Sequence, residues 1–201
     1  MNKTAIISAS QNAFHGVTEK GYDTDEIGFF DKSNGKWSVA ENIRHLILST
    51  GTSTLAWQLP LVIVKFIGGT PNRNSRSYDE LLEKYQQRLN EGGKASGRYV
   101  PKDAASTLTN NALEKDRMKK AIMYKWNKVS SKFIFALSTR RTEDDLEKYL
   151  VRHPLLGRIT LRELGYFSIF HTLHHLDSIN KLTEKKVIPD VQYQSLRHLK
   201  E

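Results

Sequence analysis

The chain has 201 residues and a formal net charge of +9, and it contains no cysteine. The missing cysteine excludes disulfides, thiolate metal ligands and a cysteine nucleophile, so imidazole and carboxylate groups remain for site chemistry. The positive charge could attract nucleic acid, but lysines and arginines are spread along the chain and mixed with acids. No basic patch forms in the sequence, so we predict no nucleic-acid partner.

The sequence predicts neither a secretory signal nor a membrane-spanning segment. Residues 1–10 carry one lysine and a brief apolar stretch, without the longer apolar region and cleavage site of a secretory signal. The most apolar run, residues 59–67, is interrupted by Pro60 and Lys65 and is less than half the roughly 20 residues needed to cross a bilayer. We predict a cytoplasmic protein without a membrane partner, with one domain over residues 1–201.

Helices dominate the predicted elements, because glycine and proline are sparse and no alternation of apolar and polar residues is long enough for a strand. The first helix covers residues 3–19 and ends at Gly21, and a connection rich in acids and aromatics follows over residues 22–37. Ser38 and Glu41 form a capping box, in which each side chain bonds the other residue's backbone N–H. This box predicts a second helix that runs to about Leu59.

The middle of the chain contains an exposed loop and two further helices. Residues 68–76 are rich in glycine, proline, asparagine and serine, which is typical of a loop. Ser77 and Glu80 repeat the capping box and open a shorter helix that ends at Gly92. A long helix over residues 108–137 follows. Its apolar stripe predicts ordinary core and consists of Leu113, Ile122, Trp126, Val129 and Phe133.

The last third of the chain has a turn followed by a histidine-bearing helix. His153 and Pro154 begin a turn over residues 153–157. Thr160 and Glu163 then form a capping box that opens a helix to about Thr183. One face of this helix, at 100° per residue, is predicted to point inward. It consists of Leu164, Phe167, Ser168, His171, His175 and Ser178.

His171 and His175 are four residues apart, so their Cβ atoms lie about 5–6 Å apart on one helix face, close enough to share a metal ion. On the second helix, His45 is surrounded by small polar groups that suit the wall of a solvated cavity. These are Glu41, Asn42, Ser49 and Thr52. Three neutral imidazoles would leave coordination positions open, as in a catalytic site.

Three sequence segments in a fixed order carry a resemblance to a known family. GKWSVAENIRHL at residues 35–46 is followed far downstream by HPLLG at 153–157 and by HTLHH at 171–175. This combination resembles the DinB/YfiT-like superfamily. The resemblance implies an all-α four-helix bundle with additional short helices, often a homodimer, and a divalent metal such as zinc or nickel. The family's ligand positions match His45, His171 and His175, while Ser178 replaces a frequent glutamine.

The remaining candidates have plainer interpretations. His174 is an alternative to His175, because a spacing of three residues also shares a helix face. His153 is interpreted as a turn residue, and His15 and His198 as surface groups. Glu41 is a weak candidate for a general base, since its carboxylate has a capping role. We interpret Trp37 as a core anchor near the cap.

The sequence leaves three functions open, of which the resemblance implies the first two. The leading prediction is a metal-dependent transferase that joins a low-molecular-weight thiol to an electrophilic small molecule. The second is a metal-dependent hydrolase of the same superfamily, since a histidine-bound divalent ion activates either a thiol or a water. The third is a non-catalytic, stress-related binding or scaffold protein. Because imidazole suits several divalent ions, the residues leave the metal's identity open.

Overall fold

A computed structural model describes residues 1–32, 36–102 and 111–183 of the chain. Four long helices form its frame. They are α1 (Lys3–Asp23), α3 (Val39–Gln58), α6 (Ala112–Arg140) and α8 (Leu161–Leu182). Helices α1 and α3 each pack against α6 and α8, so the order around the bundle is α1, α6, α3, α8. This arrangement confirms the predicted all-α four-helix bundle.

Shorter elements connect and cover the long helices. They are α2 (Glu26–Phe30), α4 (Leu61–Gly68), α5 (Tyr78–Asn90), a 3₁₀ helix (Gly97–Tyr99), α7 (Asp145–Lys148), β1 (Leu150–His153) and β2 (Gly157–Thr160). Within the described residues, no single helix is both long and apolar enough to cross a membrane. Only α3 and α4 taken together reach that length and composition, and they are bent by 115°.

All three predicted capping boxes are present. Ser38, Ser77 and Thr160 each accept the backbone N–H of the glutamate three residues later, and each glutamate accepts the N–H of its cap residue. These reciprocal bonds satisfy N–H groups that the first helical turn leaves without partners. The starts of α3, α5 and α8 are therefore set by local sequence, and α3 and α8 carry the candidate metal ligands.

The first helix does not end at Gly21, as its sequence predicted, but continues to Asp23. A Cβ at Gly21 would lie 2.5 Å from the terminal methyl of Met123, so the glycine permits close packing of α1 against α6. Lys119 of α6 donates to the carbonyls of Tyr22 and Thr24. That contact satisfies the end of α1, which is why the glycine does not terminate it.

The predicted turn at residues 153–157 lies within a short hairpin, which the sequence did not indicate. Strands β1 and β2 are antiparallel, with Leu150 opposite Thr160 and His153 opposite Gly157. Each strand has four residues, too few for an alternating pattern to stand out. Gly157 adopts a φ of 73°, which glycine accepts without strain and which closes the turn.

Two other expectations need adjustment. The connection before α3 contains α2, a helix of five residues capped by Asp25 and too short to be read from periodicity. Leu113, predicted as core, is 56% exposed, because α6 begins at Ala112 and its first turn extends beyond the bundle. Residues 108–110 of the predicted helix lie outside the described part of the chain.

The loop before α5 is held down by arginines. Arg73 donates to both carboxylate oxygens of Glu163, at 2.7 and 2.9 Å, and the backbone N–H of Arg76 adds a bond of 2.8 Å. Glu163 is 0% exposed and also accepts the backbone N–H of Thr160. The predicted exposed loop is therefore tied to the start of α8 by a fully bonded, buried carboxylate.

Candidate metal centre

Three buried histidines meet between α3 and α8. His45 comes from α3, and His171 and His175 come from adjacent turns of α8. One ring nitrogen from each lies within 4.8 Å of the others, and the Nε2 atoms of His45 and His171 are 3.0 Å apart. Among the residues that the structure describes, this is the only group of histidine or acidic side chains close enough to hold a metal ion. The predicted ligands are thus brought together.

The direction of the two helices explains this convergence. Asn42 contacts His175, and His45, one turn later on α3, contacts His171, one turn earlier on α8. The helices therefore run antiparallel, so residues one turn apart on one helix face residues one turn apart on the other. The two sequence motifs, far apart along the chain, face each other for this reason.

A main-chain carbonyl determines the protonation of His45. Its Nδ1 lies 2.7 Å from the carbonyl oxygen of Tyr99, at the end of the 3₁₀ helix. A carbonyl can only accept, so Nδ1 carries the proton and Nε2 of the neutral ring keeps its lone pair. Gly97, with a φ of 54°, permits the tight turn that brings this carbonyl to the ring. The lone pair of His45 consequently points towards His171.

An asparagine does the same for His175. The His175 Nδ1 lies 2.8 Å from Oδ1 of Asn42. The amide orientation is fixed, because Nδ2 of Asn42 donates to the carbonyls of Trp37 and Ser38 at 3.2 and 2.9 Å. Nδ1 of His175 must therefore donate, which leaves the lone pair on Nε2. Metal-binding histidines are commonly oriented in this way by a bond to the second ring nitrogen.

The histidine rings are held neutral. Burial, and then the neighbouring rings of His175 and His45, lower the pKa of His171 well below its usual value. Burial lowers the pKa of His45 and of His175 as well. Uncharged imidazoles with converging lone pairs are the form that binds a divalent ion, so this donor set fits the metal that the motifs imply. No protein thiolate belongs to this donor set, since the chain has no cysteine.

Aromatic rings cover two sides of the centre. Phe167 stacks on His171, with ring centroids 4.7 Å apart and planes 22° apart. Trp37 stacks on His175 at 6.0 Å and lies 5.1 Å from His45. Trp37 was interpreted as a core anchor, but it is only half-buried, and it forms part of the cavity wall over the histidines.

The remaining histidines lie outside the cluster. His174, the alternative to His175, is exposed, and it is not part of the group of converging nitrogens. The side chain of His15 is 70% exposed and pairs with Glu19. His198, interpreted as a surface group, lies outside the described residues.

His153 belongs to the hairpin. Its Nδ1 accepts the backbone N–H groups of Leu155 and Leu156, and its ring packs 4.1 Å from that of Phe167. Burial lowers the pKa of His153 to about 4. The ring is therefore neutral at physiological pH, and its Nδ1 is occupied in stabilising the turn.

A cavity of about 1100 Å³ opens beside the histidines. The four residues predicted to line a pocket all contribute to its wall: Asn42, Ser49, Thr52 and Ser178. The three hydroxyls donate to main-chain carbonyls three or four residues earlier in their own helices. Their protons are thus engaged, and each hydroxyl can offer a lone pair to a ligand.

Glu41, the weak candidate for a general base, does not line the cavity. Its Oε2 accepts the backbone N–H of Ser38 at 2.9 Å, and its Oε1 accepts from Lys32 at 3.0 Å. The carboxylate is buried at the helix start and faces these partners. Its position supports a capping role.

The sequence predicts Asn42 as a pocket-lining residue but does not predict its hydrogen bond with His175. It gives no indication of the bond between the Tyr99 carbonyl and His45. The place of Asn42, one turn before His45, was a usable signal, because such a residue shares a helix face with its neighbour. The Tyr99 contact gave no signal, since it uses the main chain and joins residues 54 apart in sequence.

Comparison with known families gives a match over most of the chain. The family described as the DinB superfamily matches residues 7–179, a range that includes all three converging histidines. No curated protein and no solved structure matches the chain.

Proposed function

The chain belongs to the DinB superfamily, and from this premise we propose that its three-histidine centre is the active site of a metal-dependent transferase. The proposed reaction joins a low-molecular-weight thiol to an electrophilic small molecule. In the net reaction the thiol loses its proton, and its sulfur forms a bond to an electrophilic carbon. The bond between that carbon and the leaving group breaks, and the leaving group departs with its electron pair, while the proton from the thiol passes to the leaving group or to solvent.

The observation that carries this proposal is the fixed orientation of two imidazoles beside an open cavity. Tyr99 and Asn42 hold the Nδ1 protons of His45 and His175, so the Nε2 lone pairs are directed inward before any ligand arrives. A divalent ion bound there supplies Lewis acidity, which favours the deprotonated form of a thiol or a water at neutral pH. A merely structural site would be closed by a fourth side chain.

The protein's own part is to orient the reactants and exclude water. Phe167 and Trp37 line the cavity and stack on the rings of His171 and His175, so they exclude water from those ring faces. Ser49 and Thr52 offer hydroxyl lone pairs along the cavity wall. These contacts suit the positioning of a bound thiol against its electrophile, which accounts for much of a transferase's rate enhancement.

The placement of acidic groups favours thiol transfer over the alternative of hydrolysis. Hydrolysis profits from a general base close to the attacking water. Among the described residues that line the cavity the only acid is Asp177, and its carboxylate is paired with Lys181 at 2.5 Å. Glu41 is engaged at its helix cap. A thiol depends less on such a base, because its pKa of about 8.5 is far below the value of about 15.7 for bulk water, so it ionises more easily beside a metal ion.

The test is a conjugation assay with several low-molecular-weight thiols and chlorodinitrobenzene as the electrophile, run after metal analysis of untagged protein. We expect conjugate to form with zinc- or nickel-loaded protein and to fall to the uncatalysed rate in His45→Ala. His15→Ala is the matched control, because it removes an exposed histidine remote from the cavity. Equal rates in both variants would refute the transferase proposal.

A scaffold role is distinguished by thermal melting with and without a chelator. A metal that binds only the folded state stabilises it in either case, but a protein with an open catalytic centre should still be folded and melt cooperatively after the metal is removed. Collapse of the fold on metal removal would indicate a structural metal instead.

A further inference from the structure

We propose that the electrophile bound in this cavity is an amphipathic anion, with an apolar chain and a carboxylate or phosphate head. The inference rests on the proposed function for the chemistry that follows binding. It depends on two separate properties of the cavity wall, its charge and its exposed apolar surface.

The cavity wall carries a clear excess of positive charge. Five lysines and arginines line it: Lys36, Lys94, Arg98, Arg152 and Lys181. Against them, Asp177 is the only acid among the described lining residues, and it is paired with Lys181. Within the described part of the chain, neither Lys94 nor Arg152 forms an ion pair with a carboxylate. A concave surface with one sign of charge concentrates ligands of the opposite sign.

The histidine centre adds to this excess. Its three ligands are neutral imidazoles, and no described aspartate or glutamate belongs to the group. Binding a divalent ion would therefore add two positive charges with no protein carboxylate to balance them. An anionic ligand supplies that balance, whereas a cationic ligand would be repelled by both the lysines and arginines of the cavity wall and the metal centre.

A second part of the wall is apolar, and two of its large side chains are exposed. The end of α3, helix α4 and strand β1 contribute Leu55, Leu59, Val64, Ile67 and Leu150. Leu55 and Ile67 expose 56% and 54% of their surface even though they lie on a concave wall. Large apolar side chains left exposed in a cavity are typical of a binding surface for an apolar group.

The two parts together define the ligand. An apolar chain placed along the α3–α4 wall removes Leu55 and Ile67 from water, while the charged head meets the lysines and arginines. Arg98 is already oriented, because it donates to the Tyr99 hydroxyl at 3.0 Å in the segment that also holds His45. The charged head is thereby placed near the metal centre, where the reaction occurs.

The experiment is calorimetric binding of four probes with the same eight-carbon chain: octanoate, octyl phosphate, octanol and octylammonium. The full chain is used, both zinc-loaded and chelator-treated. We expect both anions to bind about tenfold or more tightly than octanol, and octylammonium to bind most weakly. The tighter of the two anions identifies the head group. Equal affinity for octanol and octanoate would overturn the proposal.

A charge-matched pair of variants locates the effect. Arg98→Gln/Arg152→Gln should weaken octanoate binding about tenfold and reduce its salt dependence. Lys132→Gln/Arg140→Gln removes the same charge from exposed positions outside the cavity and should leave the affinity unchanged. Equal losses in the two double variants would refute a specific anion site.

The chelator-treated protein separates this inference from the proposed function. Arg98 and Arg152 of the cavity wall remain when the metal is removed, so selectivity for anions should persist in the chelator-treated protein. Loss of all octanoate binding with the chelator, without any effect of the arginine variants, would mean simple coordination to metal and would overturn the inference. Because the readout is binding, anion selectivity can fail or succeed independently of thiol transfer.

Discussion

Helix α8 carries two buried polar clusters that are built in opposite ways. At its start, Glu163 is fully buried, and its oxygens accept bonds from Arg73, Arg76 and the backbone. Two to three turns later, His171 and His175 are also buried, but a ring nitrogen of each converges with a ring nitrogen of His45. The first cluster is satisfied within the protein and fixes a loop. The second brings together ring nitrogens that could hold a metal ion, and this distinguishes a candidate binding site from a structural network.

Removing one histidine is the strongest test of this difference between the two clusters. His171→Ala should weaken zinc binding about a thousandfold, or about 4 kcal/mol, because each ligand carries a large share of the affinity of such a site. Metal titration by competition with a chromophoric chelator measures this change. His174→Ala is the control and should bind zinc normally, since His174 lies outside the cluster. A loss in the control as large as that in His171→Ala would assign the ligands differently.

The opposite result is expected at the other cluster. Glu163→Gln should reduce the free energy of unfolding by about 3 kcal/mol, because it leaves the arginine charges without their buried partner. Zinc affinity should not change. Urea unfolding measures the effect, and Glu80→Gln is the matched control, since Glu80 occupies the same place in an exposed capping box. A similar loss in both variants would mean that capping alone explains the cost.

The stability from Glu163 should also depend on pH. Burial by itself would raise the pKa of this carboxyl, but bonds from Arg73 and from the Arg76 and Thr160 N–H groups outweigh burial and lower it. The contribution is therefore complete above the unfolded carboxyl's ordinary pKa and is lost as the pH falls through the lower folded value. In Glu163→Gln, unfolding curves should be less sensitive to acid than in the parent.

A smaller effect is expected from the residue that orients His175. Asn42→Leu should weaken zinc binding about ten- to a hundredfold, because the ring loses the acceptor that fixes its proton on Nδ1. Ser49→Ala, on the same cavity wall but without a bond to a ligand ring, should change zinc affinity little. If both variants bind zinc as the parent does, orientation by Asn42 contributes nothing to the site.

The smallest effect concerns the hairpin. The pKa of His153 in the folded protein is about 4, below the ordinary value near 6.5, so the unfolded chain binds more protons between these values. Its stabilising contribution is present above about pH 6.5 and should be lost progressively as the pH falls towards 4. His153→Asn keeps an acceptor for the turn and should lack this part of the pH dependence. An unchanged pH profile would contradict the assignment.

Local sequence predicted the parts of this molecule that local physics determines. Ser38, Ser77 and Thr160 began helices where their capping boxes placed them. The four-residue spacing of His171 and His175 placed both rings on one face of α8. A capping bond and a helical repeat both involve residues within one turn of each other, so no tertiary knowledge was needed.

The parts that escaped prediction depend on contacts between distant segments. Gly21 allows α1 to approach α6 closely, although a glycine near a helix end usually indicates termination. Trp37 covers the histidines only because the chain before α3 is held beside α8. Periodicity predicted one buried face for α8, yet residues 161–173 are buried on every side, since α1, α3, α5 and the hairpin all cover it.

The bond that orients His45 has an unusual consequence for genetics and engineering. Its acceptor is a main-chain oxygen, so no exchange of the Tyr99 side chain can remove it. Random mutagenesis would find Asn42 easily but would overlook residue 99. The vulnerable position is Gly97, two residues earlier, where any larger residue would have to adopt a φ of 54°. The main chain thus protects the orientation of one candidate ligand from most point mutations, and the position most sensitive to substitution is a glycine.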